Sequence, residues 1–131
     1  MKVKLLKPPH NVVAWDVKPS SWPMKSESLC RSKVQYRCGQ VLKETFPYEA
    51  ITEDITIPGT RLSLDFFLPM RMIAIEIQGR QHFEHVPHFH GPKKSKFLAQ
   101  QQRDQQKQDF CDLNGIILYK VEDEDELRDY L

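Results

Sequence analysis

The chain has 131 residues, of which 40% are apolar and 28% charged, with a formal net charge of +1 and a mean hydropathy of −0.56. That length suits one compact domain able to bury a core without staples. No apolar run approaches the about 20 residues that span a bilayer, and the start MKVKLLKPPH lacks the apolar stretch of a signal peptide, so a cytoplasmic protein with no membrane partner is expected.

The near-neutral balance leaves any nucleic-acid contact to local clusters of charge. Cys30, Cys38 and Cys111 form no C-x-x-C pair. An odd, scattered set suits reduced, inert thiols rather than a disulfide framework or a catalytic thiol.

Residues 1–25 carry Pro8, Pro9, Pro19 and Pro23 together with Trp15 and Trp22. That proline density excludes a long helix. Val3, Leu5, Val12 and Val13 allow short strand-like pieces, giving an extended arm packed on the domain by its tryptophans. A partner-binding or DNA-contacting arm carrying Lys2, Lys4 and Lys7 is the alternative. Residues 26–131 then form a single domain.

A first helix is expected from Ser26 to about Phe46, with Ser26 or Ser28 as N-cap, a partial stripe of Leu29, Val34, Val41 and Leu42, and Pro47 as its stop. Residues Tyr48 to Ile57 read as a strand closed by Pro58 and Gly59.

Arg61 to Phe83 reads as a hairpin. Leu62, Leu64, Phe66 and Leu68 alternate with Ser63, Asp65 and Phe67, and Ile73, Ile75 and Ile77 alternate with Ala74, Glu76 and Gln78. A turn centred between Met70 and Arg71 sets Asp65 opposite Glu76 and Ser63 opposite Gln78. Directly opposed side chains stand about 4.5–5.5 Å apart on one face, and like charges there repel. Such a pair asks for a shared divalent cation or a retained proton. A one-residue slip would send the two acids to opposite faces.

The segment GRQHFEHVPHFHGP then holds His82, His85, His88 and His90. With no cysteine partner and a proline-containing loop, it is a weak zinc candidate. Only His82 follows the Glu76 strand immediately. Lys93, Lys94 and Lys96 lead into a second helix, about Ser95 to Leu113. Every residue from Gln100 to Asp109 is polar, where a helix packed on a sheet normally shows an apolar stripe. Phe97, Leu98, Phe110 and Leu113 are left to anchor its ends. Arg103, Asp104 and Lys107 can share a side, either as a solvated face with an Asp104–Lys107 pair or as a polar wall aimed at Asp65 and Glu76. Asn114 and Gly115 close the helix. Ile116 to Val121 reads as a strand, and Asp125 to Leu131 as a terminal helix after an acidic run that suits a helix start.

The ordered set Asp65, Glu76, Gly79, Gln81, His82, Phe83, Arg103, Asp104, Lys107 and Gly115 resembles the PD-(D/E)xK nuclease superfamily. Within it, the set is similar to the branch holding the very-short-patch repair endonuclease and the phage-type homing endonucleases with an EDxHD catalytic set. That pattern places an Asp on one strand, E-x-D-G-x-Q-H-F on the next, R-D-x-x-K on a helix, and a Gly before the last strand. The chain departs at Gln78, where the branch has Asp and the wider superfamily Lys. An amide cannot act as a base, which moves proton handling toward His82 and Asp104. It departs again on the first helix, where relatives carry a Glu near the metal and this chain has Gln35, with Glu44 further along.

The resemblance implies an α/β (α+β) fold with a restriction-endonuclease-like αβββαβ core, a mixed sheet flanked by helices. It implies a metal-dependent endonuclease of phage or mobile-element type that hydrolyses DNA phosphodiester bonds. Mg²⁺ or Mn²⁺ would be held by Asp65, Glu76 and the Ile77 carbonyl. Catalysis would involve Asp65, Glu76, Gln78, His82 and Asp104, and substrate would be held by Gln81, Arg103 and Lys107. DNA is the expected partner, with a homodimer or a protein partner left open. The alternative is a nuclease-like module that has lost catalysis and binds nucleic acid or a protein partner.

Overall fold

Two strands, β4 (Ser63–Leu68) and β5 (Ile73–Ile77), form the centre of the chain. They pair antiparallel with Phe66 opposite Ile75, Phe67 opposite Ala74 and Leu68 opposite Ile73. This is the register expected from a turn centred between Met70 and Arg71, and extending it sets Asp65 opposite Glu76. The computed structural model describes residues 1–7, 11–78 and 92–131. Gly79, Gln81, His82 and Phe83, with the other loop histidines, lie outside the described residues.

The remaining elements are β1 (Lys2–Lys4), β2 (Val12–Ala14), α1 (Lys33–Thr45), β3 (Thr52–Thr56), α2 (Pro92–Leu113), β6 (Ile117–Val121) and α3 (Glu124–Tyr130). The main sheet runs β3-β4-β5-β6. Its first three strands make an antiparallel meander, and β6 lies parallel to β5 across the α2 crossover. From α1 onward the order is αβββαβ, a mixed sheet flanked by helices, as the sequence led us to expect.

Alternation along β4 divides the core. Phe66, Leu68 and Ile75 pack with Cys38, Val41 and Leu42 of α1 and Leu127 of α3. Phe67 and Ala74 pack with Phe110 and Cys111 of α2 and with Val3 and Trp15 of the N-terminal segment. Strands β1 and β2 pair antiparallel, so Val3 and Trp15 enter the same core. Trp15 stacks on Phe67 with centroids 5.2 Å apart and meets Phe110 edge-on at 5.7 Å. Burial pushes the thiols of Cys38 and Cys111 up to about 12, and that of Cys30, beside Glu53, to about 11. All three stay protonated and unreactive near neutrality.

Several boundaries differ from the sequence reading. Helix α1 starts at Lys33 rather than Ser26, because Leu29 and Cys30 donate back to the Ser26 carbonyl in a turn and Ser32 takes the N-cap, accepting from the Gln35 N–H at 3.0 Å. Leu29 therefore leaves the apolar stripe and is 71% exposed. Strand β3 begins at Thr52 and leaves Tyr48 in a turn, fully in solvent. Leu98, expected to anchor α2, is also exposed. Helix α2 ends as the Asn114-Gly115 pair predicts. Gly115 has φ +68°, and the Ile116 N–H reaches back to the Cys111 carbonyl at 2.8 Å. Ser32→Ala removes the α1 cap and is expected to cost about 1 kcal/mol in urea unfolding.

Candidate active site

Strands β4 and β5 part where the acids stand, and the acids take over the hydrogen bonding there. The Asp65 carboxylate accepts from the Ile77 N–H at 2.8 Å, and the Glu76 carboxylate accepts from the Asp65 N–H at 3.3 Å. Each side chain thus satisfies a main-chain donor on the other strand. Both are buried, Asp65 at 8% and Glu76 at 6% exposure. Burial and the neighbouring Asp65 carboxylate push Glu76 well above the usual carboxylate range, and Lys107 only partly offsets this. The Lys107 ammonium lies 2.5 Å from Glu76 Oε1. That oxygen is fully buried and accepts no hydrogen bond of good geometry among the described residues, so the ion pair alone answers its charge. Lys107 reaches it from the polar run of α2, so that part of this run faces the acids.

A cleft of about 570 Å³ opens at this point. Asp65, Glu76, Ile77, Gln78, Asp104 and Lys107 line it together. Arg103 does not line it. One residue along a helix is a turn of about 100°, and Arg103 is carried to the exposed side. Gln81 and His82 lie outside the described residues. The opposite wall comes from the start of α1, with Arg31, Ser32, Val34 and Gln35. Sequence reasoning had passed over Arg31. Its only signal was its place just before a helix start, where the positive end of the helix dipole favours anions.

Gln35 does not stand as a spare metal ligand. Its amide donates to Glu53 Oε2 at 2.9 Å and to Asp54 Oδ1 at 3.2 Å. Glu53 also accepts from the Lys25 N–H, and Asp54 pairs with the Lys25 ammonium and, at 3.6 Å, with Arg31. Asp54 sits inside β3 at φ +53°, in the left-handed region that side chains other than glycine rarely take. Strain of this kind persists only when the surroundings hold it. Here the cage of Lys25, Arg31 and Gln35 does so at the border of the cleft. The acidic pair in YEAITEDITI was the sequence signal for this second polar cluster.

The donor set fits a hard divalent cation. Two carboxylates and the Ile77 carbonyl offer oxygen ligands, and Mg²⁺ commonly takes only one or two carboxylates and completes its shell with water and phosphate. The lysine against Glu76 shows that this corner already calls for positive charge. No group of three or more His, Cys, Asp or Glu suited to a metal occurs among the described residues, so a protein-built cage is not what these residues form.

No family model matches the chain, and no solved structure matches it. It is 35% identical over 97 residues to uncharacterized protein 094L of frog virus 3 (isolate Goorha), across 74% of this chain and 61% of that protein. Over 95 residues it is 30% identical to uncharacterized protein 033L of invertebrate iridescent virus 3, across 69% of this chain and 48% of that protein. Over 60 residues it is 37% identical to uncharacterized protein 307L of invertebrate iridescent virus 6, across 46% and 30%. The chain thus spans between 30% and 61% of the length of these viral relatives. No helix among the described residues is long and apolar enough to cross a membrane.

Proposed function

We propose that the chain is a metal-dependent DNA endonuclease of the PD-(D/E)xK kind, serving a virus, phage or mobile element. The observation that carries this reading is the facing pair Asp65 and Glu76, buried in an open cleft with the Lys107 ammonium as the one charge partner of Glu76 Oε1 among the described residues. The αβββαβ order and the mixed sheet flanked by helices support the reading, and the viral relatives suit the setting.

Asp65, Glu76 and the Ile77 carbonyl would hold Mg²⁺ or Mn²⁺, which supplies an acidified water and charge compensation at the scissile phosphate. The protein's own groups do the rest. Arg31 and the positive end of α1 receive the phosphodiester from one wall, and Lys107 from the other. Gln78 orients a water or a phosphate oxygen through its amide. Asp104 polarises a neighbouring proton donor, and His82 carries the proton in this scheme.

The alternative module without catalysis draws on the amides at Gln78 and Gln35, which stand where the nuclease branch that the chain resembles would carry ionisable groups. Supercoiled plasmid and branched DNA separate the two readings. Nicking in Mg²⁺ or Mn²⁺ that stops in EDTA supports the nuclease. DNA binding that ignores the metal, with no cutting of any substrate, supports the module. Lys107→Met removes the ammonium that competes with a cation for Glu76. It is expected to tighten Mn²⁺ binding by calorimetry yet slow cleavage about tenfold, or ~1.4 kcal/mol in barrier. Weaker Mn²⁺ binding would contradict the competition.

A further inference from the structure

Two neighbours on β3 depart from strand geometry. Successive side chains on a strand point to opposite faces, yet Glu53 and Asp54 both meet the same amide, that of Gln35 on α1. Ile55, the next residue, packs in the other core with Phe67 and Phe110. The left-handed φ of +53° at Asp54 is what allows this. It turns the Asp54 carboxylate toward the start of α1, where ordinary alternation would have sent it to the α2 side. A conformation that an aspartate adopts only at a cost thus has one visible result, the placing of a carboxylate.

That carboxylate has two cationic partners of different kinds. Its side chain is 8% exposed, and the Lys25 ammonium binds it closely. Lys25 therefore answers the buried charge. Arg31 meets it from farther off, Nε to Oδ1 at 3.6 Å, and is itself 61% exposed. An exposed pair of that length orients a side chain without fixing it. The contact uses only Nε, and a guanidinium carries four more N–H groups on its two terminal nitrogens. Arg31 also lines the cleft of Asp65 and Glu76, which Asp54 does not. The register accounts for this placing. With Glu53 opposite Phe66 and Ile55 opposite Leu64, Asp54 stands across from Asp65.

We propose that Asp54 is a positioning residue, which holds Arg31 at the wall of the acidic cleft so that its guanidinium meets a phosphate of the bound DNA. With Nε against Asp54, the terminal nitrogens are left to take two phosphate oxygens side by side. Lys25 keeps Asp54 neutralised when Arg31 turns to the phosphate, so releasing Arg31 leaves no bare buried charge. This role deepens the nuclease reading and rests on it. Its expected sign is opposite to that of simple electrostatics. Removing a carboxylate beside a DNA-binding cleft tightens binding when charge alone matters, because the phosphates are repelled less. Where Asp54 acts through Arg31, its removal weakens binding instead.

The test is fluorescence anisotropy of a fluorescein-labelled DNA duplex, titrated in EDTA at several salt concentrations. Wild type, Asp54→Asn, Asp54→Gly, Arg31→Ala and the Arg31→Ala/Asp54→Asn double variant are compared. Asparagine and glycine both tolerate a positive φ, so each removes the charge and keeps the backbone. Arg31→Ala is expected to weaken binding at least about fivefold and to lower the salt slope by about one. Asp54→Asn and Asp54→Gly are each expected to weaken it about threefold, the scale of one exposed ion pair. In the Arg31→Ala background, Asp54→Asn brings no further loss, as expected of two residues acting as one unit. Unchanged or tighter binding in both Asp54 variants overturns the role, and so does an equal loss with and without Arg31. A wild type that binds no duplex overturns it too, as does loss of folding in both Asp54 variants, which would assign Asp54 to the fold. Weaker binding in the Asp54 variants with no plasmid cutting in Mg²⁺ or Mn²⁺ rejects the nuclease and keeps the role. Cutting by the wild type with tighter binding in the Asp54 variants rejects the role alone.

Discussion

Glu76→Gln is expected to make the metal-free protein more stable at pH 8, and to flatten the dependence of its melting temperature on pH. Glu76 is buried beside the Asp65 carboxylate, and both effects push its proton affinity well up. The folded chain therefore binds this proton more tightly than the unfolded chain, where glutamate titrates near about 4.3. Below that value both states hold the proton and the folded state loses nothing. As the pH rises from there toward the raised folded value, the unfolded chain releases its proton first and stability falls. A glutamine keeps the shape and the acceptor for the Asp65 N–H and never ionises. Lys107 loses its charge partner, but its side chain is 18% exposed and can turn to water. The gain at pH 8 should be on the order of 1–2 kcal/mol, seen as roughly 5 °C in melting temperature, in buffers containing EDTA. A wild type whose stability is flat or rises with pH above 5, or a variant less stable at pH 8, would contradict the assigned environment of Glu76.

Asp65→Ala and Asp65→Asn are both expected to reduce metal-dependent cleavage at least about a hundredfold. The carboxylate has a structural job beside the proposed one of holding a cation. It accepts the Ile77 N–H at 2.8 Å where the two strands part. Alanine leaves that donor without its partner, at a cost of about 1–3 kcal/mol, partly offset because Glu76 loses its repelling neighbour. Asparagine keeps an acceptor of the same length and removes only the charge. Folding is therefore near normal in the asparagine variant while cation binding is lost, and comparing the variants separates the two jobs. Cleavage by Asp65→Asn within about threefold of wild type would assign Asp65 the structural job alone.

The hairpin was legible because two independent patterns agree on it. The period-two alternation from Phe66 to Leu68 and along IAIEI gives the faces, and the short turn at Pro69 to Arg71 gives the register, so Asp65 meets Glu76 without any knowledge of the fold. The alternation fails at Leu62 and Leu64, which pack in the core of Phe67 rather than with Phe66 and Leu68. The polar wall was legible for the opposite reason. Ten polar residues in a row cannot pack on a sheet, and Lys107 indeed turns inward to Glu76 while Phe110 and Cys111 carry the packing.

The start of α1 was not legible in the same way. Ser26, Ser28 and Ser32 are all good caps, and the choice fell to Ser32 because Glu53 holds the Lys25 main chain in a non-helical path. That contact joins residues 28 positions apart and leaves no local trace. The left-handed Asp54 is also invisible locally, since an aspartate in a strand-forming run gives no warning that its cage of Lys25, Arg31 and Gln35 will bend the chain there. R-D-x-x-K reads as a unit in the sequence, but neighbours on a helix point about 100° apart, so Arg103 stands exposed outside the cleft that Asp104 and Lys107 line.

Isothermal calorimetry of Mn²⁺ binding to the wild type and to Asp65→Asn, without DNA and in buffers of different ionisation enthalpy, tests most directly whether the facing acids are built to receive a cation. The proposed function predicts one site, lost in the variant, with protons released on binding as the cation, like any positive charge, favours the ionised carboxylates. Binding of equal strength in both proteins, or none in a wild type shown to be folded, would mean that Asp65 and Glu76 only mend the gap between β4 and β5.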